Sequence, residues 1–210
     1  MAEPAVAWLA AQSWQRLDAE YRSNYLRIAS VLAFFVIHLV DHYLRGTTYA
    51  GVMPSPRGYH LAITLIVATW LMLALLVDLF LKQRKFPPWT AYATVTLDTL
   101  LLASVLAVAG GQSSMLNLAY CLILVMAALR LDLVLVRYTT FLCMAAYLSL
   151  GCLAYLGSRL GTLVEPAATD STSQAIAAIA IGAAGIMLGQ LVRRCRNVAD
   201  DYARRLLEPR

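Results

Sequence analysis

The sequence has 210 residues, of which 60% are hydrophobic and only 14% charged. A soluble domain carries about 25% charged residues. The charge missing here is missing from windows of roughly 20 residues, the signature of membrane helices. The formal charge of +5 is therefore a topology signal, and a nucleic-acid-binding protein is excluded.

The chain starts with an amphipathic stretch. Trp14, Leu17, Tyr21 and Tyr25 recur at spacings of three and four, and Arg16, Asp18, Glu20 and Arg22 fall mainly on the other side. Residues 1–24 read as a cytoplasmic interfacial helix with its aromatic rings at headgroup level. Because so many residues precede the first apolar run, this start does not read as a cleavable signal.

Six transmembrane helices are predicted, near 25–44, 60–81, 90–109, 115–130, 134–156 and 174–193. The fourth is short for crossing about 30 Å of hydrocarbon. The turn before it, Gly110-Gly111-Gln112-Ser113-Ser114, is a strong hairpin signal. Between the second and third runs, Phe86-Pro87-Pro88-Trp89 stops one helix and anchors the next. The expected fold is all-α: a polytopic bundle over 25–193, followed by a short cytoplasmic helix over 194–210.

Basic residues set the orientation. With six spans, fourteen of the seventeen Lys and Arg residues fall on one side, and only Arg45, Arg57 and Arg159 fall on the other. The positive-inside rule puts both termini in the cytoplasm of a bacterial inner membrane. Both longer loops, 46–58 and 157–173, then lie outside. Neither is large enough to be a folded receptor domain.

The segment Ile37-His38-Leu39-Val40-Asp41-His42-Tyr43 closes the first run with three ionisable groups. His38 and His42 share a helix face, with Asp41 adjacent to it. His60 opens the antiparallel second run and belongs at similar depth. Imidazoles with a carboxylate could hold zinc, copper, a haem iron or a chlorophyll-type magnesium. They could also sense pH, or simply be hydrogen-bonded at the interface. Two acids lie within spans, where a charge is costly. Asp78 is one turn from Lys82 and pairs naturally with it. Asp98 has no cation near it in sequence. It must be neutral, face water, or meet a polar group on another helix; a proton or ion site is the competing reading.

The sixth run carries Ala178, Gly182, Gly185 and Gly189, two small-xxx-small pairs that let helices approach closely. They serve either packing inside the bundle or a homodimer face. Beyond them, Leu191, Cys195, Val198 and Tyr202 form a coiled-coil seam of barely two heptads. The four cysteines, Cys121, Cys143, Cys152 and Cys195, contain no CxxC pair and read as small hydrophobes rather than a disulfide framework. No phosphate loop, GxSxG elbow or Rossmann glycine pattern is present, so an enzyme is not expected.

The stretch from Leu97 to Tyr147 contains Leu97-Asp98-Thr99-Leu100-Leu101-Leu102, Ala109-Gly110-Gly111-Gln112-Ser113-Ser114 and Ala127-Ala128-Leu129-Arg130-Leu131. It resembles the six-helix N-terminal membrane modules of bacterial sensor histidine kinases and class III nucleotide cyclases. The Arg-rich helix leaving the sixth span is similar to their connectors. In those families the connector feeds a catalytic domain, and here the sequence stops at Arg210. That departure leaves three expectations: an isolated input module, one acting on a separate partner, or a protein that is not a sensor. The expected function is a non-catalytic, sensor-like or anchoring membrane module, with the sixth helix transmitting a ligand-induced shift. The alternatives are an accessory subunit of a respiratory or photosynthetic complex, near a haem or chlorophyll-type cofactor, and a small transporter using Asp98. The partners expected are the lipid bilayer and either a second protein or a second copy.

Overall fold

A computed structural model describes residues 3–40, 42–43, 56–83, 87, 89–160 and 171–207. Asp41 and most of both long loops lie outside the described residues, as do the side chains of Trp14, Leu17 and Tyr202. The described chain forms six helices: α1 (Glu3–Val40), α2 (Pro56–Lys82), α3 (Trp89–Val108), α4 (Ala119–Leu129), α5 (Leu133–Leu160) and α6 (Ser171–Leu207). No strand occurs among the described residues.

All but α4 are long and apolar enough to cross a membrane. Their outward faces fit hydrocarbon rather than water: Leu61, Leu75, Phe141, Ile179 and Met187 are all more than half exposed. Hydroxyls on these helices bond their own backbone one turn back, as in Thr64 to His60 O at 2.7 Å and Ser104 to Leu100 O at 2.8 Å. That arrangement satisfies the polar group where water is absent. These are the properties of a multi-pass helical membrane protein.

The fourth predicted run is only an 11-residue helix. Two 3-10 turns, Gly111–Ser113 and Met115–Leu118, precede it. Gly110 and Gly111 make the turn at φ 96° and 66°, left-handed values that favour glycine. The irregular backbone is tied to protein: Gln112 Nε2 donates to Tyr147 O at 2.8 Å, and Asn117 Nδ2 donates to Gln112 O at 2.6 Å. A short apolar run is commonly a buried core helix, and α4 is one. Tyr120, Ile123, Leu124 and Ala127 are buried, in one core cluster with Val95, Leu106, Val136, Cys143 and Tyr147. Elements α1, α3, α5 and α6 all pack against α4.

The small residues of α6 are used inside the bundle. A Cβ at Gly185 would penetrate Thr140 of α5, and one at Gly182 would crowd Met144 Sδ at 3.3 Å. Gly189 lies over Leu133, and Ala178 packs against the main core. The pairing of α5 with α6 is therefore antiparallel. Arg130, just after α4, reaches both Glu20 of α1 and Ala91 of α3. Glu20, Ala91, Leu133 and Gly189 thus mark one end of the bundle. From that end the first turns of α1 and the last turns of α6 both project, and from Arg193 to Asp201 every side chain on α6 is exposed.

Helix α1 continues without a break through residue 24, joining the predicted interfacial helix to the first span. Its polar stripe points inward. Glu20, Ser23, Asn24 and Arg27 are buried, while Tyr21 and Tyr25 face outward. Spacings of three and four explain why all four share one face.

Candidate functional site

The inner half of α1 is held by a buried charge network. Arg27 pairs with Asp98 of α3, through Nη2 at 2.8 Å and Nε at 2.9 Å from Oδ2. Its remaining terminal nitrogen, Nη1, donates to Asn24 Oδ1 at 2.8 Å, and Asn24 Nδ2 donates to Ala74 O of α2 at 3.1 Å. Trp70 Nε1 of α2 donates to Asp98 Oδ1 at 2.8 Å. Three helices therefore meet at one carboxylate. Asp98 lies nine residues into α3, about 13 Å from its start at 1.5 Å per residue. A charge this deep persists only when paired and hydrogen-bonded, and Asp98 has a cation and an indole. Asp98 thus meets polar groups of two other helices, Arg27 of α1 and Trp70 of α2.

A second cluster lies nearer the end of the bundle. Arg130 Nη2 is 2.7 Å from Glu20 Oε2, a buried ion pair. The same guanidinium donates to Ala91 O at 2.9 Å and Thr94 Oγ1 at 3.1 Å. Ser23 Oγ and Arg130 Nε have no hydrogen-bond partner among the described residues. Asp78 pairs with Lys82 at 2.7 Å on the surface, as the one-turn spacing predicted.

At the other end of α1 the histidines converge. His38 Nε2 lies 3.2 Å from His60 Nδ1. The His42 and His60 rings stack at 4.4 Å between centroids, only 5° from parallel. Tyr59 tilts against His38 at 5.7 Å, and Phe35 stacks on it at 6.3 Å. Parallel, face-to-face imidazoles aim their nitrogens within their own planes rather than at one shared point. Among the described residues no group of three or more His, Cys, Asp or Glu side chains is arranged to hold a metal ion.

Between these two ends lies a cavity of about 480 Å³. Its walls come from α1, α2, α3 and α4, with Leu116 contributed by the turn before α4; among the described residues none of α5 or α6 lines it. Arg27 and Trp70 stand at one end, His38 and Tyr59 at the other, and aliphatic and phenyl groups lie between. From Arg27 to His38 is eleven residues, about 16 Å of helix. In the outer half of α1, between Ile28 and Val40, only Val31 is buried. That half touches α2 through a small cluster of Val31, Ile63 and Val67, with Phe35 and Tyr59 against it.

Sequence reasoning missed Arg27 and Arg130 as site residues, counting both among the positive charges that set orientation, and did not foresee that the side of α1 carrying Glu20, opposite Tyr21 and Tyr25, turns into the bundle. One signal was available. A polar stripe at positions 20, 23, 24 and 27, facing an uncompensated acid at 98, is a charge-matching clue. Nothing marked Trp70 or the cavity in advance.

No protein-family model matches the chain, and no curated protein or solved structure is detectably similar to it.

Proposed function

We propose that this chain is a non-catalytic, sensor-like membrane module that receives an apolar ligand from the bilayer. The cavity carries the reading. It falls within the ~300–1,000 Å³ range of small-molecule sites, with apolar walls and a few polar groups at the ends. It lies against the outer half of α1, where only Val31 is buried. A ligand seated there alters the contact between α1 and α2–α4 directly, so α1 carries the response in place of α6. The shift is a change in population between two packings of α1, and the ligand biases it through its differential contact with each.

The same reading places the chain in a bacterial inner membrane with both ends in the cytoplasm and six passes. Support comes from the basic residues: setting aside buried Arg27 and Arg130 still leaves twelve on the inner side against three on the outer. The contact of Arg130 with Ala91 also supports a return of the chain through 111–130, which adds the even pass.

The test is a distance measurement between spin labels at Val36 on α1 and Leu153 on α5, both exposed. Protein carrying its native lipid-phase ligands is compared with protein stripped by detergent exchange, and with Leu122→Trp, which fills the cavity from α4. The distance distribution is expected to differ between loaded and stripped protein, and Leu122→Trp to abolish that difference. An identical distribution in loaded and stripped protein would sink the proposal.

A further inference from the structure

We infer that the occupant of this cavity is one straight acyl chain of a bilayer lipid, drawn in sideways from the leaflet on the His38 side, and that the cavity gauges the length of that chain. The inference rests on the cavity being a ligand site, as proposed above, and goes on to what fills it.

The shape points to a chain. Val31 and Phe35 of α1, Ile63 and Val67 of α2, and Ala119 and Ile123 of α4 all line the space. Each pair is four apart and so marks one face of its helix. The cavity therefore runs parallel to the helices, as lipid chains do. From Arg27 to His38 on α1, and from Tyr59 to Trp70 on α2, is about 16 Å of helix. That is half of the ~30 Å hydrocarbon core, the depth of one leaflet. About 480 Å³ over about 16 Å gives a mean section of about 30 Å² (480/16), against roughly 80 Å² for a helix of ~10 Å diameter. The space admits a slender chain and excludes a helix of a partner or a second copy.

The way in is lateral. Every residue from Phe34 to His38 borders the cavity. Five consecutive positions are more than one face of a helix, so the space passes around the flank of α1. Val36 and Ile37 there are more than half exposed. The cluster that ties this half of α1 to the bundle draws on α2 and α3 and, among the described residues, not on α4. The α1–α4 side is thus the route to lipid.

Competition decides the class of occupant. Lipid chains are as apolar as the side chains of the wall and surround the bundle on every side. Left empty, the wall would lack contact atoms on one side, and a neighbouring chain supplies them. The headgroup stays outside, in the interface, so no polar group at the mouth has to be open to it.

The far end is closed. Arg27 is only 3% exposed, with its nitrogens on Asp98 and Asn24, and Trp70 Nε1 is also on Asp98. A chain cannot push this floor inward without breaking a buried pair. Saturated carbons with bonds of ~1.52 Å and angles of ~111° advance ~1.25 Å each, so a straight chain of about 13 carbons fills about 16 Å. Longer chains must bend or remain partly outside.

The experiment uses the full chain in nanodiscs of phosphatidylcholine, with Trp8, Trp14 and Trp89 replaced by phenylalanine so that Trp70, at the floor, is the only fluorophore. Monoacylglycerols brominated at the last carbon, with chains of eight, twelve and sixteen carbons, are titrated at equal mole fraction. The twelve-carbon probe is expected to quench Trp70 saturably and most strongly, because its bromine reaches the floor. The saturable part is expected to vanish in Ala119→Phe, which fills the cavity from α4, with Leu122→Phe in its place if that variant does not fold. Equal quenching at all three lengths overturns the gauge. Displacement of the twelve-carbon probe by naphthalene, a ring without a tail, at equal mole fraction shows a site for rings; the chain inference then falls and the receptor reading stands. Quenching that is unchanged in the filled variants sinks both.

Discussion

The two halves of α1 are packed in opposite ways. The inner half buries four polar side chains at one helical face and ties three of them to other parts of the bundle: Arg27 to Asp98 of α3, Asn24 to Ala74 of α2 and Glu20 to Arg130 after α4. The outer half buries a single valine between Ile28 and Val40 and borders open space. In a bilayer this reverses the usual ranking of strength. Lipid tails compete with apolar side chains on equal terms, so apolar contact gives little net association between helices. A buried ion pair has no such competitor, because its alternative is an unpaired charge in hydrocarbon. The polar half is thus the fixed half.

Three measurements break or sharpen that contrast. The largest effect belongs to Asp98→Leu, which strands Arg27 and the Trp70 N–H. Loss of one partner of a buried pair costs ~3–5 kcal/mol, read as a fall in thermal unfolding in detergent. The double variant Arg27→Leu/Asp98→Leu is expected to recover most of it, because no lone charge remains. Equal melting of the single variant and wild type would show that the inner half is not held by this pair. A smaller effect, of opposite sign, belongs to Leu122→Trp. Filling an apolar cavity commonly adds about 1 kcal/mol, and here it should raise the melting temperature of ligand-stripped protein while leaving the inner network intact. A loss of stability would mean that the space beside the outer half is not available to a side chain. The smallest effect belongs to Lys82→Gln. Lys82 is exposed and its partner Asp78 only partly buried, so melting should not change beyond error. A clear drop would show that position in the membrane, rather than burial, sets the strength of these pairs.

Much of the helical architecture was legible beforehand, because hydropathy over windows of span length reports directly on what faces lipid. Helices α2, α3, α5 and α6 appear where the apolar runs lie. The pair Asp78–Lys82 and the nearness of His60 to His38 follow from spacing within a helix and across one connection. What was illegible depended on contacts between distant segments. Asp98 announced that it needed a partner, but its partner stands 71 positions away. Arg27 was hidden because a positive charge near the start of a span has an ordinary interfacial explanation. The burial of Glu20 was not legible because a charged side opposite an aromatic stripe can face either water or protein, and here Tyr21 and Tyr25 face outward while Glu20 faces the bundle. The fourth run was read as a span over 115–130, and its shortening to an 11-residue helix depends on contacts visible only in three dimensions: its irregular entry is satisfied by Tyr147 and Gln112 instead of by helix.

The unbroken length of α1 has a mechanical consequence. Held at Glu20, Asn24 and Arg27, the helix is a lever with arms of unequal length about that stretch. Val40 is 16 residues beyond Asn24 and Glu3 is 21 residues before it, about 24 Å and 32 Å at 1.5 Å per residue. A sideways displacement of about 2 Å at the outer tip becomes one of about 2.6 Å, in the opposite direction, at Glu3. That buried stretch would then serve as a fulcrum, converting a small adjustment beside a ligand into a larger stroke on the far side of the membrane.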